Sequence, residues 1–578
     1  MHAIPRLVRF IAPLLALALL SGTACAQPQE HAAPAAAGTT GAGGEKLPNE
    51  VLTDRILYEF LLGEIALQRG HAALAAETYL DLAKRTRDPR IAQRAVEVAD
   101  YARMPQFALE AAKIWQETAP DSPVALQMVT ALLISTHRVD EAEPYLARLL
   151  AINATVATNG FMQLDRLLAG NPDKAQNLRV VQLLAQKYPD LPQAHFAIAQ
   201  AALAANDDSR ALGEAQQASA LRPDWQLAAM FEAEILARSS PTAAEARLAD
   251  FLTKHPDARE ARLAYARMLV NEQRYSEARD QFEKLLAAYP RDKDVIFAVG
   301  LLAAQLKDYT TAETNLRKLV ALGYRDIDGV RYALGQVAEA QKDWAQAIKW
   351  YEQIGSGAQY VASRARVAHV LAQEGKLGQA LAYLHNVKAG DEAERAQLVI
   401  SEAQLLREAG RYQDAFDVLG KALAASPEQP DLLYDYALAA DKIKRYDLVD
   451  SSLRKLIKLR PDYAHAYNAL GYSLADRNQH LPEAHKLIEK ALQLAPQDSY
   501  IIDSMGWVLY RMGELKAAAS ELQRAWQGQQ DPEIGAHLGE VLWVMGRHQE
   551  AERIWDQALK NGPTNGTLRE TIKRFRAH

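Results

Sequence analysis

Residues 539–563 read GEVLWVMGRHQEAERIWDQALKNGP. Ala551 follows Gly539 by twelve residues, and Pro563 follows Ala551 by twelve, with Trp555 and Ala558 between. Glycine and alanine carry almost no side chain, so they mark where two helices cross at close approach. Proline closes the second helix because it cannot continue a hydrogen-bonded turn. The stretch therefore predicts a pair of antiparallel helices.

The same pattern runs through most of the chain. Alanines stand at Ala75, Ala108, Ala142, Ala211, Ala278, Ala312, Ala347, Ala380, Ala415, Ala484, Ala518 and Ala551. Each spacing is one or two units of about 34 residues, and Ala75 to Ala551 spans 476 residues, fourteen such units. Weaker units centred near Ala175, Ala244 and Val449 fill the gaps. Glycine precedes the alanine by twelve at Gly63, Gly300, Gly335 and Gly506 also, and proline follows it at Pro120, Pro223, Pro290, Pro461 and Pro496. Glu272-Gln273-Arg274 and Ala409-Gly410-Arg411 read as short turns between the two helices of a unit. Near His480 one residue is inserted, since Gly471 to Ala484 is thirteen.

These residues carry a resemblance to the tetratricopeptide repeat, a helix–turn–helix of 34 residues. Gly471 to Pro496, Gly506 to Ala525, Gly539 to Pro563, and Ala278 with Phe282 and Pro290 match it best, within a span of roughly 51–563. The resemblance implies an all-α solenoid of about fifteen helix-turn-helix repeats. First helices would line the concave side, and a helix over Thr567–Arg576 would cap the end, with Leu568, Ile572 and Phe575 on its inner face. Asn468–Ala475 (NALGYSLA) and Ser499–Arg511 (SYIIDSMGWVLYR) are similar to a group of proteobacterial exported tetratricopeptide proteins. That similarity implies a place in the cell envelope and supplies no catalytic residues.

The 578 residues are 49% hydrophobic and 24% charged, with a net charge of -6, a balance suited to a folded chain with no field to attract nucleic acid. A single cysteine, Cys25, excludes a disulfide framework and a cysteine-based zinc site. Length alone suggests about four domains; one array over 49–563, capped by 564–578, replaces that expectation. Residues 1–26 read as a signal peptide: Arg6 and Arg9, then Phe10–Leu20 (FIAPLLALALL), too short to cross a bilayer. Ala24-Cys25-Ala26 fits a cleavage site that leaves a soluble periplasmic protein beginning at Gln27. The alternative is lipidation at Cys25 and outer-membrane anchoring, although Gly22 stands where a large aliphatic residue is expected. Residues 27–48 form an Ala/Gly/Pro linker.

With repeat positions 2, 5, 9 and 12 facing the groove, the last three units offer Tyr472, Tyr500, Asp503, Trp507, Tyr510, Glu540 and Trp543 to a partner. Tyr and Trp bury much area at low entropic cost, which makes them anchors of binding surfaces. Trp555 and Tyr467 occupy packing positions instead. His465, His480 and His485 share no helical face and no HExxH occurs, so no metal or cofactor is expected. Ser356 lacks the GxSxG setting of a hydrolase, and no basic stripe suits nucleic acid. The expected role is a non-enzymatic scaffold for protein partners in envelope assembly. The alternative is a partner-binding subunit of a polysaccharide or lipopolysaccharide export or synthesis system. Membrane contact is expected only through a lipid at Cys25.

Overall fold

The computed structural model describes residues 51–576; the expected signal peptide 1–26 with Cys25 and the expected linker 27–48 lie outside the described residues. Among the described residues there are 31 helices and no strand. They pair in sequence as fifteen helix–turn–helix units followed by the helix Gly566–Arg576. The chain forms two compact units divided between Leu302 and Ala303. The first holds seven pairs, from Asp54–Gln68 with Ala72–Thr86 to Arg259–Asn271 with Tyr275–Ala288. The second also holds seven, from Ile327–Ala340 with Trp344–Glu352 to Pro532–Val544 with His548–Asn561, and the final helix. Lys293–Gln305 and Tyr309–Leu322 come between them in sequence.

Small residues sit where the period predicts. The twelve alanines that set the spacing, and Ala244, are all 0% exposed. Val449, in the same slot, is buried too. The glycines answer a different need. A Cβ on Gly63 would meet the Tyr79 ring, on Gly335 the Tyr351 ring, on Gly506 Leu522, and on Gly539 the Trp555 ring, all closer than 3.0 Å. Each of these large side chains lies sixteen residues after its glycine, on the second helix of the same pair. At Gly471 the facing residue is Ile488, seventeen later, because the turn 477–480 holds the extra residue. Thus a helix without a side chain accepts a bulky one from its partner, and both stay in contact with the core.

The fourth unit departs from the alanine pattern. Its turn runs from Ala169 to Asp173, longer than the usual three residues, so its second helix starts at Lys174. Ala175 is exposed, and Asn177 fills the buried slot. The Asn177 amide donates to the Leu168 carbonyl at 2.9 Å and its carbonyl accepts from Asn171 at 2.8 Å. A polar residue is tolerated there because the turn gives it partners. With Asn177 in place of Ala175 the spacing from Ala142 is 35 and to Ala211 is 34.

Most other turns have three residues with the middle one left-handed. Gly70, Gly375, Gly410, Gly513 and Gly546 take that position, as do Arg103, His137, Asn206, Gln273, Lys307, Lys342 and Lys444. Second helices end two residues before Pro120, Pro223, Pro290, Pro461, Pro496 and Pro563. Prolines also open first helices, at Pro89, Pro123, Pro192, Pro430 and Pro532, where the missing N–H is one that has no helical partner anyway. Stacking merges the pairs into long cores, one running from Ala66 to Ile235 and another from Leu433 to Ile572. No single pair encloses such a core alone.

Candidate partner-binding face

The helices Ala464–Asp476, Ser499–Arg511 and Pro532–Val544 are the first helices of the last three pairs. Asp498 and Asp531 cap the second and third of them, each accepting hydrogen bonds from the first-turn backbone. These caps satisfy first-turn backbone N–H groups of two of the helices, whereas Ala464–Asp476 has no side-chain cap.

The structure draws most of those residues into one polar and aromatic network. His537 Nδ1 lies 2.9 Å from Asp503 Oδ2, and both side chains are buried. The Trp507 ring stacks on His537 with centroids 4.3 Å apart, and Tyr510 lies 5.2 Å from Trp507. The Tyr510 hydroxyl donates to Glu540 at 3.1 Å, and Arg574 of the last helix donates to the same carboxylate. Tyr472 lies 6.2 Å from His537 at the other edge. Tyr500 sits apart: its hydroxyl donates to Asp531 at 3.2 Å and accepts from Gln529 at 2.6 Å. Trp543 is held by aromatic packing, stacked on the fully buried Trp555 at 5.4 Å and edge-on to His548 at 4.4 Å.

The seven expected residues therefore divide by accessibility. Asp503, Trp507 and Glu540 are buried, whereas Tyr472, Tyr500, Tyr510 and Trp543 are half-buried and present an edge. Burial raises the pKa of Asp503, and the His537 charge only partly opposes it. Burial alone would lower His537, but the charge and hydrogen bond of Asp503 outweigh it and hold the imidazole above its ordinary value. Beside Asp503 the imidazole therefore keeps its proton longer than a buried histidine without that partner would. Burial pushes the Tyr510 hydroxyl up to about 12, with Glu540 adding to the effect. It pushes Tyr472 well above the usual range, reinforced by Glu533, Asp476, Asp503 and Asp441. The field at this end of the face is negative.

His537 was not legible as a site residue, yet a signal for it exists. It lies 34 residues after Asp503, one repeat on, and Arg574 lies 34 after Glu540. The same habit joins other first helices: Arg94 to Glu64 at 3.1 Å, Arg407 to Asp435 at 3.2 Å, and Arg366 to the buried Glu339. Complementary polar residues on successive first helices are the mark of this ladder. Among the described residues, no group of three or more His, Cys, Asp or Glu is arranged to hold a metal ion. No helix of the described residues is long and apolar enough to cross a membrane.

Tetratricopeptide repeat profiles match residues 236–293 and 297–361, and again 406–471. A TPR repeat-containing protein of Pseudomonas aeruginosa is 34% identical over 525 residues, covering 90% of this chain and 88% of that protein. The human protein O-mannosyl-transferase TMTC1 is 27% identical over 188 residues, 32% of this chain and 21% of that protein. Among solved structures, yeast Tom70 matches 74% of this chain and 96% of its own with 13% identity and a TM-score of 0.38. The nearly end-to-end match to the Pseudomonas protein agrees with the small-residue slots seen in unit after unit, and on that ground the chain belongs to the tetratricopeptide repeat proteins, a family of protein-interaction scaffolds.

Proposed function

We propose that the chain is a non-enzymatic scaffold of the bacterial cell envelope, exported through residues 1–26, and that its C-terminal face docks a protein partner in envelope assembly. The observation that carries the reading is the row of half-buried aromatic edges, Tyr472, Tyr500, Tyr510 and Trp543, set on a rigid buried network. Rigid aromatics on a fixed base bind with little loss of entropy. The carboxylates around Tyr472 favour a segment bearing Lys or Arg. The apolar signal sequence supports the envelope, and simple cleavage leaves the chain in the periplasm.

Site-specific photo-cross-linking from Tyr472 and Trp543 in intact cells tests both halves. One envelope partner should be captured, and Tyr500→Ala with Trp543→Ala should abolish capture while the helical content stays unchanged. Undiminished capture by that double variant removes the proposed face. Mass spectrometry of the mature amino terminus should find Gln27; an acylated Cys25 replaces the soluble periplasmic location with a membrane anchor.

A further inference from the structure

The two ends of the array are finished differently. At the carboxyl end the helix Gly566–Arg576 turns Leu568 and Ile572 inward and exposes Arg569, Glu570, Lys573, Arg574 and Arg576. At the amino end the helix Asp54–Gln68 packs Gly63 and Ala66 inward but leaves a second apolar stripe open. Leu57 is 44% exposed, Tyr58 65%, Leu61 48% and Ile65 46%. At 100° per residue these four fall within about 100° of one another, the width of a helix face built to be covered. Their counterparts in the last unit, 476 residues later, are Ile534, His537 and Val541 for Tyr58, Leu61 and Ile65, and all three are buried. The first unit thus carries the face of an interior unit, with no helix before it among the described residues.

We propose that this stripe is a self-association surface, covered by the same helix of a second copy running antiparallel. The stripe is symmetric about Leu61: Leu57 lies four residues before it and Ile65 four after. A two-fold axis at Leu61 therefore places Leu61 against Leu61 and Leu57 against Ile65, a self-complementary contact that closes as a dimer. The same axis brings exposed Asp54, at the start of one helix, beside exposed Arg69, at the end of the other. Antiparallel packing also sets each helix's positive end against the other's negative end. Residues 27–48 hold a single large apolar side chain, Leu47. Head-to-tail stacking is disfavoured because the other end presents the charged helix Gly566–Arg576.

Sedimentation of the purified exported protein from about 1 to about 100 μM tests the inference. A monomer–dimer equilibrium is expected within that range. Leu61→Glu should weaken it by at least about tenfold, a loss on both copies at once, and leave the circular dichroism melt unchanged because the side chain is exposed. Asp54→Arg should also weaken the dimer, and adding Arg69→Asp should restore it. A monomer throughout, a dimer indifferent to Leu61→Glu, or failure of the charge reversal to rescue overturns the proposal. So does a monomer that sediments with phosphatidylglycerol vesicles through Leu61, which makes a lipid surface the occupant.

Discussion

Replacing Gly539 by alanine tests the packing rule that builds every pair. In a helix interior, glycine to alanine is ordinarily favourable by about 0.5–1 kcal/mol, through backbone entropy alone. At Gly539 the new Cβ would stand 2.0 Å from Trp555 Nε1 and 2.5 Å from Cδ1 and Cε2 of the same ring. The ring has little room to retreat, being 0% exposed and flanked by Trp543 and Phe575. Overpacking of a filled core costs about 1–3 kcal/mol. Set against the propensity gain, the net is a loss of up to about 2.5 kcal/mol, confined to the last pair. Gly213, in the interior of the helix Asp208–Leu221, is the control, since a Cβ there meets nothing within 4 Å. Gly213→Ala should stabilise by about 0.5–1 kcal/mol. A long array does not unfold as one unit, so hydrogen exchange read helix by helix is the proper assay. Protection in Pro532–Val544 and His548–Asn561 should fall for Gly539→Ala, and protection in Asp208–Leu221 should rise for Gly213→Ala. If Gly539→Ala raises protection as Gly213→Ala does, the glycine is not there to admit the ring and the rule fails.

Other consequences follow from single sites. Because His537 and Asp503 both have raised pKa values, the folded state holds protons that the unfolded chain releases. The stability this contributes from His537 is complete below about pH 6.5 and is lost as pH rises through the raised value. Protection of Ser499–Arg511 and Pro532–Val544, corrected for intrinsic exchange, should fall from neutral to alkaline pH, and a pH-independent profile refutes the assignment. Asn177→Ala should cost about 0.5–1.5 kcal/mol although alanine fills that slot in thirteen other units, because the Leu168 carbonyl and the Asn171 amide each lose one hydrogen bond, keeping those from the Asn171 backbone N–H and to Gln176. Equal or greater stability by denaturant titration of Lys174–Ala185 would falsify that account. Lys342→Gly, at φ 60°, should stabilise the turn by about 0.5 kcal/mol, read as slower exchange at the start of Trp344–Glu352; faster exchange contradicts it.

The fold was legible because its constraint is steric and local. An alanine with no room for a larger side chain, a glycine facing a ring sixteen residues on, and a proline two residues past a helix each leave one residue type at a fixed spacing. Even the weak units at Ala244 and Val449 stand in register. Asn177 escaped because the slot asks for a small or a satisfied side chain, and the longer turn moves it two residues past the nearest alanine. The site was harder to read for a different reason. Repeat position tells which side of the helix Asp503, Trp507 and Glu540 occupy, but not that His537, Tyr510 and Arg574 from neighbouring helices would cover them. Their burial depends on pairs of residues, and no single residue carries that information.

The polar pairs also answer a problem that small-residue slots leave open. Alanine, glycine and proline repeat in the same places, so any first helix could pack against any second helix on steric grounds alone. Asp503 with His537, Glu540 with Arg574, and Glu339 with Arg366 are specific to their own neighbours. Removing the repeat that carries one member of such a pair would preserve the apolar pattern and leave the other member buried and unpaired, at a cost of about 3–5 kcal/mol. Each such pair therefore sets the order of adjacent units in a way that packing cannot. Asp503, His537, Glu540 and Glu339 are withdrawn from the surface as they set that order. What remains to meet a partner is the set of edges left over: Tyr472, Tyr500, Tyr510 and Trp543, each oriented by the residue it shields. Specific assembly of the array and specific presentation of its surface thus rest on the same contacts.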